Sequence, residues 1–176
     1  MTELKLVKVS ASCADLLESY RAAFPAARER VTHLAERIPG LDHLEECQSL
    51  AEWLDYCQSM EGKISWYLSV RESDGKAVGC ACLRHRLEYD DDDPEFCSHI
   101  GYSIRPDERQ KGYAREQLRL VLEKAREAGL KQVRILCLDT NEGSRRTILA
   151  NGGVYVDSLY GEESGLTVLR FDVPTA

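Results

Sequence analysis

The stretch Ile104-Arg105-Pro106-Asp107-Glu108-Arg109-Gln110-Lys111-Gly112-Tyr113-Ala114 decides the fold of this protein. It predicts the end of a strand, a short basic loop and the start of an amphipathic helix over about residues 112–128. A helix start presents unpaired backbone N–H groups and the positive end of the helix dipole, which favour a bound phosphate. Gly112 allows the backbone to approach an anion closely, and Ala114 keeps the next turn small. Arg109 and Lys111 add positive charge, so the stretch indicates a pyrophosphate cradle, with a solvated basic helix start as the alternative.

The chain around this stretch predicts elements in the order β-α-α-α-β-β-β-α-β-α-β-β. This order is typical of an α/β (α+β) protein with a mixed sheet and helices on both faces. The second and third helices are predicted over residues 26–37 and 44–59. No internal repeat or linker divides the chain, and its 176 residues fit one domain, so we expect a single domain over residues 1–176.

Composition narrows the class of protein. The formal net charge of −7 argues against general nucleic-acid binding, and no apolar run approaches the ~18 residues of a membrane span. The N-terminus lacks the basic and apolar regions of a secretory signal. Seven cysteines without a Cys-x-x-Cys pair predict buried, reduced thiols in a cytoplasmic protein without a metal, while a metal or redox role is the alternative.

Two motifs identify a family resemblance. Residues Arg109 to Ala114 are similar to the Arg/Gln-x-x-Gly-x-Gly/Ala motif of the GNAT acyl-CoA N-acyltransferases, and Asn141 to Ser144 followed by Asn151-Gly152 resembles the family's second signature. The lead-in His99-Ile100-Gly101-Tyr102 resembles a subgroup of uncharacterised predicted acetyltransferases. The resemblance is close over residues 75–160. It implies the GNAT fold, with a mostly antiparallel central sheet of about six or seven strands and helices on both faces.

The resemblance also implies acetyl-CoA as cosubstrate, bound by a core over residues 97–152. The pantetheine arm would pair with the exposed strand backbone from Tyr102 to Ile104. Asn141 would contact the same arm. Ser144 is also among the residues expected to bind the cofactor. The pyrophosphate would be held by residues Arg109, Gln110, Lys111, Gly112, Tyr113 and Ala114. A strand N–H near Tyr102 would stabilise the oxyanion, an effect worth ~3–4 kcal/mol.

The family's usual acid and base are absent from this sequence. The helix tyrosine that protonates the thiolate is replaced by Ile148, and the strand carboxylate that accepts the amine proton falls near Ser98. His99 is the candidate base because its imidazole titrates near neutral pH, with a hydrogen-bonded histidine on the sheet face as the alternative. Tyr102 is the second candidate catalytic residue.

The acid stays open among three tyrosines, namely Tyr102, Tyr113 and Tyr155. The variable helices over residues 12–60 would build the acceptor site. Glu88, Asp90 to Asp93 and Glu95 could attract a cationic amine, or could form a solvated loop.

The function predicted from the resemblance is transfer of an acetyl group from acetyl-CoA to a primary amine of a small molecule or peptide, by direct attack in a ternary complex. The alternative is an acyl-CoA-binding sensor with little or no catalysis. Dimers are frequent in this family, so the resemblance also implies a possible homodimer. It implies no metal. The basic surplus lies where the phosphates are predicted, because residues 105–146 hold eleven Lys and Arg against seven Asp and Glu.

Overall fold

A computed structural model describes residues 3–24, 37–89 and 94–176. Seven strands and four α-helices are present in the described residues, with short 3₁₀ turns between them. The strands are β1 (Leu4–Lys8), β2 (Ile64–Arg71), β3 (Ala77–Arg84), β4 (Ile100–Ile104), β5 (Gln132–Leu138), β6 (Val154–Gly161) and β7 (Leu166–Pro174). The helices are α1 (Ala14–Ala22), α2 (Leu50–Ser59), α3 (Tyr113–Glu127) and α4 (Glu142–Ala150).

The strands form two antiparallel sheets. The first has the order β1-β2-β3-β4 and the second the order β5-β7-β6. Helices α1 and α2 pack on one face of the first sheet, where Leu17 and Trp53 join the buried strand residue Trp66. Helices α3 and α4 pack on the opposite face, where Leu118 and Ile148 join the second buried cluster. The mixed architecture, the seven strands and the helices on both faces confirm the predicted fold class, and the sheet divides between β4 and β5.

Local signals account for the buried face of α3 and the start of α2. Leu118, Val121, Leu122 and Ala125 recur at helical spacing along α3, and all four side chains are buried. The prediction of a helix from residue 44 is wrong for its first part, since a 3₁₀ turn occupies Leu44–Glu46 and α2 begins at Leu50. Its start is fixed by Ser49, whose Oγ accepts from the Glu52 N–H at 3.1 Å. The helix predicted over residues 26–37 falls almost wholly outside the described residues, as does the run Asp90 to Asp93.

The interior holds the large aromatic side chains and matches the expectation for the cysteines. Trp53, Trp66 and Tyr67 are buried. All seven cysteines are free thiols, six of them buried and Cys47 half-buried, as predicted. No helix in the described part of the chain combines the length and the apolar character needed to cross a bilayer.

Candidate active site

In the part of the chain that the structure describes, hydrogen bonds of His99 connect the two sheets, and we call this connection the joint. The backbone N–H of His99 donates to the Arg134 carbonyl at 2.8 Å, and the Arg134 N–H donates to the His99 Nδ1 at 2.8 Å. The His99 carbonyl accepts from the Arg84 N–H on β3 at 2.7 Å. Burial lowers the pKa of His99, with a further contribution from the Arg134 cation, so the imidazole is neutral at pH 7. An Nδ1 that accepts a hydrogen bond leaves the ring proton on Nε2.

Beyond this joint a gap separates β4 from β5. Within the described residues no backbone hydrogen bond connects the two strands past His99, and β4 pairs only with β3. Arg105 donates its N–H to Val78 at 3.0 Å, so the alternation of an antiparallel ladder turns the backbone of Tyr102 and Ile104 away from β3. Arg109 confirms that direction for Ile104, because its Nε donates to the Ile104 carbonyl at 3.1 Å. Unpaired strand backbone therefore lines the gap where the pantetheine arm was predicted.

The loop after β4 carries a run of free backbone donors. Gln110 and Gly112 both adopt left-handed conformations, with φ of 60° and 85°. The first backbone bond of α3 to the loop runs from Glu116 to the Gly112 carbonyl. None of the N–H groups from Gln110 to Arg115 donates to an acceptor within the described residues. A Cβ on Gly112 would meet nothing within 4 Å, so open space lies over this helix start.

A buried carboxylate holds the loop in place. Glu108, only 4% exposed, accepts from Lys76 Nζ at 2.6 Å, Lys111 Nζ at 2.9 Å and Arg71 Nη1 at 3.0 Å. These cations, Lys111 foremost, lower the pKa of Glu108 to about 2. Arg71 and Lys76 belong to the β2–β3 hairpin, so this cluster, which we name the Glu108 hub, ties the loop to the sheet. Sequence reasoning missed it, because the cations come from distant parts of the chain.

A groove continues from the free donors toward the end of α4. It encloses about 320 Å³ and is lined by Gly112, Arg115, Glu116, Arg119, Ala150 and Asn151. Arg119 pairs with Glu116 and Glu123 on its own helix. The exposed Arg115 guanidinium has no ion-pair partner within the described residues. Arg115 is therefore a cation beside the groove that the motif did not reveal, and its only sequence signal is a position three residues after Gly112.

The start of α4 faces β4 across the gap. The Asn141 Oδ1 caps α4 by accepting from the Ser144 N–H at 3.1 Å, which leaves its Nδ2 free of partners within the described residues. The Tyr102 hydroxyl and the Ser144 Oγ lie 2.9 Å apart. Burial raises the pKa of Tyr102 to about 12, against the opposing effect of the Ser144 hydrogen bond. Tyr102 is therefore a protonated phenol at neutral pH, placed between β4 and α4.

The remaining predicted residues take other positions. Tyr113 is buried and its hydroxyl accepts from Arg71 Nη1 at 2.9 Å, while Tyr155 is 52% exposed on β6. Of the three tyrosines considered for the acid, only Tyr102 faces the gap. Ile148, at the family's tyrosine position, is fully buried. Lys111 is paired inside the Glu108 hub.

These groups form a donor set suited to acyl-CoA. Six consecutive N–H groups, the Arg115 guanidinium without an ion pair among the described residues, and an open groove are suited to a pyrophosphate and a further phosphate. The strand edge at Tyr102 and the free Asn141 amide suit an arm built from amides. No group of three or more potential metal ligands occurs among the described residues.

Comparison with known families gives one match. The family model described as Acetyltransferase (GNAT) domain matches residues 5–154 of the chain. No curated protein matches the sequence.

Solved structures resemble this fold over nearly the whole chain. A putative acetyltransferase, yncA, from Salmonella typhimurium with its cofactor acetyl-CoA has a TM-score of 0.67 at 14% identity, covering 98% of this chain and 94% of that one. The ribosomal-protein-S5-alanine acetyltransferase from Vibrio fischeri has a TM-score of 0.69 at 17% identity, covering 99% of this chain and 94% of that one. A point mutant of the spermidine N-acetyltransferase SpeG from Vibrio cholerae has a TM-score of 0.68 at 12% identity, covering 97% of this chain and 95% of that one. These likenesses confirm the predicted GNAT fold.

Proposed function

The chain belongs to the acetyltransferase (GNAT) domain family, and we propose that it transfers an acetyl group from acetyl-CoA to a primary amine of a small molecule or peptide. Attack takes place directly, with both substrates bound together. The run of free N–H groups from Gln110 to Arg115, beside the gap between β4 and β5, is the observation that carries this proposal. A protein that only shared the fold would have no need for six consecutive unpaired donors at a helix start.

Each part of the site has a task in this reaction. Acetyl-CoA supplies an activated thioester. The helix start and Arg115 bind its phosphates, and the free amide of Asn141 binds the arm. The Tyr102 N–H, turned into the gap, stabilises negative charge on the carbonyl oxygen. The Tyr102 hydroxyl donates the proton that the departing thiolate takes up, and Ser144 orients it.

His99 has a positioning role in this proposal. Its Nδ1 holds the Arg134 N–H, so the imidazole fixes the point at which the two sheets separate. We therefore assign His99 to the geometry of the gap and not to proton transfer. Sequence reasoning placed it first among the candidate bases, with a hydrogen-bonded histidine as the alternative, and the contacts favour the alternative.

The named activities of structural neighbours guide the choice of acceptors. One neighbour is a spermidine N-acetyltransferase and another acetylates the alanine of ribosomal protein S5. Both acceptors are amines, one on a small polycation and one on a protein. An acidic chain with net charge −7 favours cationic acceptors.

The alternative function is an acyl-CoA sensor with little catalysis. Ile148 favours it, because a fully buried aliphatic side chain occupies the place of the family's acid. The two functions share the cradle and differ only in turnover.

Two assays test these functions. Acetyl-CoA should raise the melting temperature, since a ligand that binds only the folded state stabilises it. Gly112→Asp should abolish the increase by placing a negative carboxylate over the free donors. Gly129→Asp is the matched control: Gly129 has φ of 86° and open space around it, and it lies past the other end of α3. Binding that survives Gly112→Asp contradicts the cradle.

Release of free thiol separates the enzyme from the sensor. The panel comprises spermidine, butane-1,4-diamine, simple alkylamines and an alanine-terminated peptide. We expect turnover with at least one of them. Tight acetyl-CoA binding without thiol release across the panel favours the sensor.

Location and assembly complete the proposal. We place the protein in the cytoplasm, which agrees with seven free thiols, since a reducing compartment maintains that state. The expected homodimer stays a prediction. The edge strand β6 exposes Val154, Tyr155, Val156 and Tyr160, and sedimentation of wild type against Tyr160→Ser measures whether a second copy covers it.

A further inference from the structure

A carboxylate from the segment before α2 lies against β4. The segment is held close to β3 by Gly40, where φ is +94° and a Cβ would come within 2.9 Å of the Cys80 carbonyl. Only glycine fits such a conformation at this distance. The close approach brings Asp42, two residues later, to the β4 face opposite α3 and α4.

Two neighbours on β3 hold this carboxylate. The Asp42 Oδ2 accepts from Arg84 Nη2 at 2.7 Å and from the Cys82 thiol at 2.9 Å. The Asp42 backbone carbonyl accepts from Trp53 Nε1 on α2 at 2.9 Å. The other oxygen, Oδ1, has no partner within the described residues, and 19% of the side chain is exposed. The carboxylate is therefore oriented and retains one free acceptor atom.

Asp42 lies beside β4, close to the proposed oxyanion donor. A Cβ built on Gly101 would lie 3.7 Å from the Asp42 Oδ2 and 3.2 Å from the Cys82 sulfur. Gly101 precedes Tyr102, whose N–H is the proposed oxyanion donor. Asp42 thus occupies the space that a β4 side chain would fill, one residue from the reacting carbonyl. A general base at this range acts directly or through one water.

No other described group fills the role of base as well. β4 itself brings no carboxylate, and the His99 Nδ1 is already an acceptor at the joint. Asp42 supplies from a different element the carboxylate that β4 lacks.

We propose that Asp42 binds the acceptor's ammonium group and accepts its proton, so that the acceptor is a primary alkylammonium compound. This assignment rests on the proposed acetyl transfer. One N–H proton passes to Asp42 and the nitrogen lone pair forms the C–N bond. The C–S bond breaks, and its electron pair leaves as thiolate. The thiolate takes the proton from the Tyr102 hydroxyl, which the second nitrogen proton restores.

Other ionisable groups surround Asp42. They are Arg84, Cys82 and Cys80 on β3, His43, Glu45 and Glu46 in its own segment, Tyr20 on α1 and His99 before β4. Burial raises the pKa of Cys80 to about 12 and that of Cys82 well above its usual value, so both thiols are neutral. Burial also raises the pKa of Tyr20 and lowers that of His99, which keeps both neutral at pH 7.

The first experiment compares Asp42→Asn with wild type. The amide keeps the size of the side chain and an oxygen for Arg84 and Cys82, but it cannot accept a proton. We expect kcat/KM for the amine to fall roughly 10²- to 10⁴-fold, the range of general-base catalysis, with the acetyl-CoA melting shift unchanged. A kcat/KM within threefold of wild type overturns the assignment.

Variants at Arg84 provide a second readout if Asp42→Asn fails to fold. Arg84→Gln removes the cation that orients the Asp42 carboxylate, so kcat/KM for the amine should fall at least tenfold while the acetyl-CoA melting shift stays unchanged. Arg84→Lys keeps a cation beside the carboxylate and should restore most of that loss. A kcat/KM within threefold of wild type in Arg84→Gln overturns the assignment, because a base in this position depends on its orientation.

A binding measurement separates this assignment from the proposed function. Butane-1,4-diamine is titrated into protein saturated with free CoA, and ligand NMR signals report binding without turnover. We expect wild type to bind the diamine and Asp42→Asn to bind it at least tenfold more weakly. Equal binding by both, or none by wild type, overturns the ammonium site. Binding that depends on Asp42 without thiol release supports the ammonium site and overturns the proposed transfer.

Discussion

Replacement of His99 tests the joint between the sheets most directly. In His99→Ala the Arg134 N–H loses its acceptor, the Nδ1 at 2.8 Å, while the backbone bond to the Arg134 carbonyl remains. In His99→Asn the side-chain Oδ1 is separated from Cα by the same number of bonds as Nδ1 was. Asparagine can therefore restore the acceptor while removing the Nε2 nitrogen. The two variants separate a positioning role from proton transfer.

The expected magnitude follows from the lost hydrogen bond. An N–H left without a partner costs ~1–3 kcal/mol. For a chain of this size each kcal/mol lowers the melting temperature by ~2–4 °C, so His99→Ala should melt roughly 4–8 °C below wild type if the cost is near the middle of that range. His99→Asn should melt within ~2 °C of wild type. Because the joint sets the width of the gap, His99→Ala should also raise the KM for acetyl-CoA.

Calorimetry and thiol-release kinetics on wild type, His99→Ala and His99→Asn measure both effects. We expect His99→Asn to keep most of kcat. A His99→Asn protein that melts like wild type and binds acetyl-CoA, yet has lost turnover, would refute it and establish His99 as the base. Unchanged stability of His99→Ala would show that the hydrogen bond to Arg134 does not hold the sheets together.

Other parts of the site carry their own predictions. Glu108→Gln should raise the KM for acetyl-CoA about tenfold with little change in kcat, because the loop loses the charge-assisted bonds of the Glu108 hub. Steady-state kinetics measure KM and kcat separately, and a loss confined to kcat would contradict this prediction. Tyr102→Phe should lower kcat roughly 10²-fold at constant KM, and Ser144→Ala should lower it less; equal activity of Tyr102→Phe and wild type would exclude the phenol as acid. The free energy of unfolding should fall as the pH drops below about 6.5, because His99 has a lower pKa when folded and the unfolded chain then takes up the proton. Urea unfolding at pH 7.5 and 5.5 measures this fall, which should be smaller in His99→Asn.

Local sequence predicted the backbone geometry of the proposed cofactor site. The strand end, the left-handed Gly112 and the helix start depend on residues within a few positions of one another, and backbone preferences act over that range. The alternating elements likewise follow from local periodicity. Where the helix prediction failed, at residues 44–49, a cap at Ser49 outweighed the continuing apolar spacing.

The sequence alone therefore determined most of the elements, the backbone geometry of the proposed anion cradle and the absence of the family's usual acid and base. Tertiary structure decided which groups we propose in their place. In the Glu108 hub, Arg71 and Glu108 are 37 positions apart in the sequence. The two residues of the His99 joint are 35 positions apart, and Asp42 and Arg84 are 42 positions apart. Contacts at such separations depend on which strands become neighbours and how closely Gly40 approaches β3. No local pattern encodes that arrangement, because it results from packing of the whole core.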